Sequence, residues 1–430
     1  MELWSAPKSS SRAWIDSRMK HLENWQKSFF RIYLGQAFSL LSSSAVQFSI
    51  IWYITMETGS AMSLSIASII GLLPQAVIGL FAGVWIDRFN RKGIMIIADV
   101  TIAISSLFLC VLFFLGYQSL HLVYIVLFIR ALGETFHKPA LQALIPQLVP
   151  SNELTKAGGI GQMISSACTM VGPMLGALLM SITTLQFVML VDVFGAMIAV
   201  SVIAFVKIPK QARKSSLDAS FIHDMKQGIN AIRSNNGLLR LTIPMLISTI
   251  IFVPLGTLLP LMAKAYFNGT AWHNGIVQTL FSVGMLFAAM VIGITGGLKR
   301  QFLMISISTG ILGFSALIGG MLPTHLFWVF CIVVFVMGTT GMGFNIPFTA
   351  YIQRTIPGEN LGKVISLVTS IMSFAAPVGM FIAGPISDII GVSNWMIYAG
   401  IVMILVSLLS YFLTREFDQE SMYRVIDHEN

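Results

Sequence analysis

Residues 83–92 read Gly-Val-Trp-Ile-Asp-Arg-Phe-Asn-Arg-Lys, a charged turn between two strongly apolar segments. A glycine at its start lets two helices approach closely, and a carboxylate at a helix end accepts hydrogen bonds from backbone amides or arginines. The turn therefore predicts a conformational lock that breaks when the packed segments move apart. The alternative is a solvated loop whose charges only set the membrane orientation. The residues of the predicted lock are Gly83, Asp87, Arg88, Arg91 and Lys92.

The composition is that of a membrane protein. Hydrophobic residues occupy 56% of 430 positions and charged residues 10%, against about a quarter in soluble domains, and the mean hydropathy is +0.82. A membrane-spanning helix needs about 20 apolar residues, and its backbone satisfies its own hydrogen bonds in lipid. We therefore predict an all-α polytopic membrane protein with twelve transmembrane helices. The predicted spans are 31–56, 63–86, 93–116, 120–143, 156–181, 184–206, 241–263, 273–296, 302–322, 325–349, 363–386 and 394–414.

The basic residues indicate the orientation of these spans. With the N-terminus inside the cell, 23 of the 26 lysines and arginines lie in predicted cytoplasmic segments or tails, which is the positive-inside pattern. The net charge of +8 is therefore explained by topology, and no nucleic-acid partner is expected. We expect a multi-pass protein of the cell membrane that contacts the lipid bilayer and has both termini in the cytoplasm.

The chain is predicted to contain two related halves. Its longest polar interruption separates six spans from six, and three short motifs recur at offsets of 207 to 212 residues, among them Gly172-Pro173 and Gly384-Pro385. Such repeats are typical of carriers built from two pseudo-symmetric six-helix bundles around a central site. The predicted parts are an N-terminal tail (1–30), a first bundle (31–206), a linker (207–240), a second bundle (241–414) and a C-terminal tail (415–430).

The first 18 residues differ in composition from those that follow. We hypothesise that Met19 is the native start, or that residues 1–18 are a dispensable extension. The alternative is an interfacial helix anchored in the membrane by Trp14, Leu22 and Trp25.

Several segments resemble one known family. The turn at 83–92 resembles the signature loop of the major facilitator superfamily, and further segments resemble the macrolide-efflux proteins of that superfamily. The likeness extends from about Met19 to Arg415 and implies the major facilitator fold and drug export across a bacterial plasma membrane. The further segments are 59–62, 130–133, 136–141, 146–156, 208–210, 268–270 and Asp192 in the sixth span.

The fifth span is similar to the antiporter motif of that superfamily, which the family associates with export. Cys168 and Ala177 replace two glycines of the motif. Small residues on one face permit close helix contact, and a proline bends the helix. The alternative is ordinary small-residue packing. The motif residues that the chain retains are Gly159, Gly172, Pro173 and Gly176.

Acidic residues inside a bilayer are costly, about 2.5–3.5 kcal/mol each, and are usually functional. Residues 225–357 contain no Asp or Glu, so proton coupling is expected mainly in the first half. Arg130 and Glu134 lie four residues apart in the fourth span, close enough to pair. We hypothesise that Glu134 exchanges a proton near Arg130, with Asp99 of the third span as its partner. The alternative is a static ion pair that holds the fourth span to its neighbours.

In this superfamily the first, fourth, seventh and tenth spans line the substrate cavity. Polar side chains recur at helical spacing along the first span, and they predict one wall of this cavity. Asp192 is expected either to contact the substrate or to brace the sixth span. The alternative for all of them is interhelical hydrogen bonding, worth about 0.6 kcal/mol for each contact. The cavity candidates are Gln36, Ser39, Ser43, Gln47, Asp192 and Asn345.

The sequence contains no constellation typical of an enzyme. It has no G-x-x-x-x-G-K-[ST] phosphate loop, so ATP is not expected as the direct energy source, and its His and Cys residues lack metal-ligand spacing. We expect no cofactor and no metal, with the proton gradient as energy source. The predicted function is secondary active efflux of an amphipathic small-molecule drug such as a macrolide, in exchange for protons and by alternating access. The alternatives are export of a tetracycline, lincosamide or siderophore-like metabolite, and facilitative import of a small molecule.

Overall fold

A computed structural model of the chain describes residues 25–79, 82, 85–86, 89–150, 153–206, 221–298 and 300–429, and every regular element among them is helical. The helices of the first half are α1 (Trp25–Thr58), α2 (Ala61–Val77), α3 (Arg91–Phe114), α4 (Leu120–Leu148), α5 (Leu154–Ile182) and α6 (Leu185–Phe205). Those that follow are α7 (Phe221–Ser234), α8 (Asn236–Thr257), α9 (Ala271–Thr295), α10 (Gln301–Met321), α11 (Phe327–Thr355), α12 (Gly358–Ile390) and α13 (Val392–Glu429). The predicted all-helical fold is confirmed, while the hypothesis about Met19 lies outside the described residues.

Eleven of the described helical segments are long and apolar enough to cross a membrane. The second predicted span corresponds to α2, a shorter apolar helix of 17 residues, and helical backbone recurs beyond it at residues 79, 82, 85 and 86. Two helices are longer than their apolar runs, since α1 begins at Trp25 and α13 continues to Glu429. Hydropathy marks the part of a helix that lies in lipid, and polar residues extend the same helix into water.

Capping residues determine where several spans begin and end. The side chain of Asn90 accepts a hydrogen bond from the Lys92 amide at 3.1 Å at the start of α3. Asn235 accepts one from the Leu238 amide at 3.0 Å at the start of α8. Gly296 ends α9 in the left-handed conformation, with φ of +73°, which glycine adopts without steric cost.

The start of α2 is capped by a carboxylate from α12. The Ser60 hydroxyl accepts a hydrogen bond from the Ser63 amide at 3.2 Å and donates to Asp388 Oδ2 at 2.7 Å. The amides of Ala61 and Met62 donate to the two oxygens of Asp388 at 2.5 and 3.1 Å. The first amides of a helix lack acceptors in a preceding turn, so the two side chains cap this end, and the negative charge lies at the positive end of the helix dipole.

The described residues form two compact units. The first consists of those within Met1–Val46, Val77–Gly172 and Gln186–Ser215, and the second of those within Gln47–Ala76, Pro173–Leu185 and Ser216–Asn430. Helices α1, α2, α5 and α6 therefore contribute residues to both units. The predicted parts of the chain, with bundles at 31–206 and 241–414, stay a prediction.

Each unit has its own apolar core, and large apolar side chains are also abundant on the outside. The first core combines residues of α1, α3, α4, α5 and α6, and the second combines residues of α7, α8, α10, α11 and α12. Within the second unit, a Cβ at Gly400 of α13 would lie 2.6 Å from the Gly313 carbonyl of α10, so this contact needs glycine. Phe205 and Ile389 are 88% and 83% exposed, as expected for side chains that face lipid.

Candidate functional site

A buried ion pair links the helices of the first unit. Arg130 on α4 and Asp192 on α6 are each 1% exposed, and Arg130 Nη1 donates a hydrogen bond to Asp192 Oδ2. The Ser106 hydroxyl on α3 also donates to Asp192, at 2.8 Å, and accepts from Arg130 at 2.8 Å. The Ser43 hydroxyl on α1 donates to the other carboxylate oxygen at 2.8 Å. Four helices therefore meet at one carboxylate.

This geometry differs from the predicted pairing of Arg130 with Glu134, because Arg130 pairs with Asp192. Glu134 Oε2 lies instead 3.0 Å from Lys138 Nζ on the same helix, and both side chains are partly exposed. Glu134 is four residues from Arg130 on the same helix, and this spacing alone could not show that Arg130 pairs with Asp192 of α6 instead. Asp192 has its carboxylate fully engaged by α1, α3 and α4, which is the arrangement expected of a brace.

A second buried polar cluster lies around Asp99 on α3. Its Oδ1 accepts a hydrogen bond from the Ser39 hydroxyl at 3.1 Å, and its Oδ2 accepts one from Gln36 Nε2 at 3.4 Å. His137 Nε2 on α4 lies 3.4 Å from Asp99 Oδ1. All four side chains are buried. The predicted contact of Asp99 with Glu134 is replaced by contacts with α1 and with a histidine.

The predicted stripe on α1 is thus divided between these two clusters. Gln36 and Ser39 contact Asp99, and Ser43 contacts Asp192, so three of its members make the interhelical hydrogen bonds of the alternative interpretation. Gln47 is partly buried and belongs to the second unit. His137 was not among the predicted site residues. Its position seven residues after Arg130, two turns along the same face of α4, was the signal that could have identified it.

The predicted lock is described only in part, because Gly83, Asp87 and Arg88 lie outside the described residues. Arg91 Nη1 donates to the Ala143 carbonyl of α4 at 2.6 Å. Lys92 Nζ donates to the carbonyls of Ala204 and Val206, at the C-terminal end of α6, at 2.7 and 2.9 Å. These two cations therefore hold the start of α3 to α4 and α6, and a lysine at a helix C-terminus also favours the helix dipole.

The residues of the antiporter motif occupy different environments along α5. A Cβ at Gly172 would collide with the side chain of Ser44 on α1, whereas a Cβ at Gly159 would meet open space. Cys168, which replaces a motif glycine, donates from its Sγ to the Ala37 carbonyl at 3.5 Å. The close contact of α5 with α1 within the first unit therefore depends on Gly172 and not on Gly159.

Pro173, Gly176 and Ala177 belong to the second unit. Gly176 and Ala177 are buried, and Pro173 is partly buried. Ala177, the second replacement, packs with Phe48, Trp52 and Ala271 in a small apolar cluster. The larger side chain at position 177 is therefore accommodated by apolar contacts.

A cavity of about 340 Å³ lies in the second unit next to Asn345. Its walls come from α8, α10, α11, α12 and α13, and the described residues that line it carry no charge. Aromatic rings provide an apolar surface and hydroxyl or amide groups provide hydrogen bonds. The polar lining residues are Ser248, Thr249, Ser308, Thr309, Thr340, Asn345, Thr349 and Thr369, and the aromatic ones are Phe252, Phe344 and Phe348. The cavity therefore suits an uncharged, partly apolar group.

Metal binding has no support among the described residues, since no group of three or more His, Cys, Asp or Glu side chains there could hold an ion. The three cysteines are buried and unpaired by disulfides.

Comparison with known proteins identifies clear relatives. The family profile of the Major Facilitator Superfamily matches residues 32–293 and 255–421. Macrolide efflux protein A of Streptococcus pyogenes is 40% identical over 391 residues, which cover 91% of this chain and 96% of that protein. Macrolide efflux protein A of Enterococcus faecalis is 40% identical over 323 residues, covering 75% of this chain and all of that protein. A bacterial homologue of the human lysosomal transporter Spinster, in an inward-facing and unoccupied conformation, shares the fold with a TM-score of 0.71 and 13% identity, over 91% of this chain and 97% of that one.

Proposed function

This chain belongs to the Major Facilitator Superfamily of membrane transporters, and on that premise we propose that it exports amphipathic antibiotics, with macrolides as the first substrate class. The observation that carries the proposal is 40% identity to Macrolide efflux protein A over 91% of the chain. Because this sequence similarity extends over nearly the whole chain, it includes the segments that line a transport path as well as those that form the scaffold.

We propose the uncharged cavity beside Asn345 as part of the drug-binding surface. Its volume of about 340 Å³ lies at the lower end of the range for ligand pockets, about 300–1,000 Å³. Eight of its lining residues are Ser, Thr or Asn and three are Phe, which suits a neutral ring bearing hydroxyl groups. The cavity would therefore receive a neutral portion of a macrolide, and the rest of the molecule would contact other surfaces.

We propose that export is driven by proton antiport through alternating access. The buried carboxylates of the first unit support this energy source, because ionisable groups in a membrane interior are costly and are usually retained for transport. The absence of a phosphate loop from the full sequence argues against direct use of ATP. The positive-inside pattern supports a multi-pass topology in the bacterial cell membrane with both termini in the cytoplasm.

The test is accumulation of radiolabelled erythromycin in a bacterial host that lacks its own drug pumps. Cells that express the protein are expected to hold less drug than cells with the empty vector, and a protonophore should remove that difference. Parallel arms with a tetracycline, a lincosamide and an iron-free siderophore separate the substrate classes. Equal erythromycin content in expressing and vector cells would contradict macrolide export, and a difference that survives the protonophore would contradict proton coupling.

A further inference from the structure

Asp99 and His137 form a buried pair of titratable groups between α3 and α4. The pair is joined by a 3.4 Å contact between Asp99 Oδ1 and His137 Nε2, a nitrogen that makes no hydrogen bond of ordinary geometry to another described residue. The donors Ser39 and Gln36 on α1 approach the same carboxylate at 3.1 and 3.4 Å. We propose that Asp99 and His137 together are the proton-binding site of the transporter. The inference rests on the proton antiport proposed above.

The other acidic groups nearby are less suited to exchange a proton. Asp192 is held by Arg130, and a guanidinium stays protonated at every physiological pH, so protonating Asp192 would leave a buried cation without its partner. Glu134 pairs with Lys138 on its own helix, and its side chain is 37% exposed, so its charge is already balanced at a partly open surface. Among the described residues, His137 is the titratable group in contact with Asp99.

The charge balance of the pair explains how it would work. A lone carboxylate in a low-dielectric interior is costly, whereas one proton shared by Asp99 and His137 gives either an ion pair or two neutral groups, each without net charge. Release of that proton to water leaves the Asp99 carboxylate with hydrogen bonds from Ser39 and Gln36. Uptake of a proton restores the neutral pair. One proton therefore changes the charge of the site by one unit.

We assign the proton exchange to Asp99 and His137 and not to the side chains around them. The side chains of α1 that hydrogen-bond to Asp99 in the described part of the chain are the uncharged Gln36 and Ser39. On the described parts of the packed helices, the other ion-paired side chains are Arg130, Glu134 and Lys138 of α4 and Asp192 of α6, and Glu134 also interacts electrostatically with His137. These four form two ion pairs of zero net charge, so they do not supply a permanent counter-charge for Asp99.

The test uses purified full-length protein in liposomes with an imposed pH difference and radiolabelled erythromycin. If one proton is exchanged for each drug molecule, a difference of one pH unit supports a drug gradient of up to about tenfold. The wild type is expected to build such a gradient. His137→Gln and Asp99→Asn should each abolish it and should still exchange labelled for unlabelled drug without a pH difference. His121→Gln changes an exposed histidine on the same helix and should retain the wild-type gradient.

A second measurement detects the proton directly. Erythromycin added to the wild type in weakly buffered detergent solution should release protons that a pH-sensitive dye reports, and His137→Gln should bind drug without this signal. If Asp99→Asn fails to elute as a folded species in size-exclusion chromatography, His137→Gln decides the question.

The outcomes separate this site from the proposed function. A folded His137→Gln variant that keeps the proton-driven gradient overturns the inference, as does a Glu134→Gln variant that alone abolishes it. A wild type that builds no gradient from a pH difference refutes proton antiport and the site with it. A wild type that builds the gradient, with both variants equal to it, refutes the site only.

Discussion

Removing the Asp388 carboxylate should loosen the start of α2. In the native structure it accepts hydrogen bonds from the Ala61 and Met62 amides and from the Ser60 hydroxyl. Asp388→Ala leaves the two amides without a protein partner, while the Ser60 hydroxyl still caps the Ser63 amide. Loss of a capping side chain lowers helix stability by about 0.5–2 kcal/mol. The interaction of its charge with the helix dipole accounts for about 0.3–1 kcal/mol of this loss.

Hydrogen–deuterium exchange followed by mass spectrometry measures this loss locally. If the free energy needed to open the first turn of α2 falls by about 0.5–2 kcal/mol, the amides of that turn exchange about 2- to 30-fold faster. We expect this acceleration in a peptide covering residues 60–66 of Asp388→Ala. Asp388→Asn should show a smaller effect, because its amide oxygen accepts a hydrogen bond but carries no charge.

Glu416→Ala provides the matched control. It removes an exposed carboxylate of α13 that lies 3.4 Å from Arg240, and it should leave exchange at residues 60–66 unchanged. Wild-type exchange rates at the start of α2 in Asp388→Ala would refute the reasoning. Equal acceleration in the Glu416→Ala control would show that the effect is general destabilisation and would refute it as well.

Three further changes test packing and binding. Asp192→Asn leaves a buried arginine without its counter-charge, at a cost of about 3–5 kcal/mol, and should greatly lower the fraction that stays monodisperse after heating; a normal fraction would contradict the brace. Gly172→Ala forces a methyl group into the side chain of Ser44 and should destabilise the folded protein by about 1–3 kcal/mol, whereas the methyl group of Gly159→Ala meets open space and should leave stability unchanged. Equal melting temperatures of the two variants would contradict this prediction. Asn345→Leu removes a hydrogen-bonding group from the cavity and should weaken erythromycin binding about 2- to 10-fold, whereas Asn394→Leu, outside the cavity, should not change it. Equal affinities of the two variants in a radioligand binding assay would contradict this prediction.

The fold was predictable because hydropathy acts on each segment separately. A run of about 20 apolar residues forms a helix in lipid whatever its neighbours are, so the all-helical architecture follows from composition and run length. The helix ends were less predictable. The extension of α1 back to Trp25 covers residues 25–30, where Gln, Lys and Ser interrupt the aromatic residues and weaken the apolar signal. The cap on α2 joins residues more than 300 positions apart, so the sequence around α2 could not predict it.

The candidate site shows where sequence patterns stop being informative. The chain itself determined that Arg130, Glu134, Asp99 and Asp192 would lie within apolar spans, because their positions fall inside the hydrophobic runs. Only the tertiary structure decided the partners, since Arg130 pairs with Asp192 of α6 and Asp99 meets His137 of α4. Helical spacing determines which face of one helix a side chain occupies. The neighbour that this face meets depends on the rotation and depth of a second helix, which are determined by packing throughout the unit.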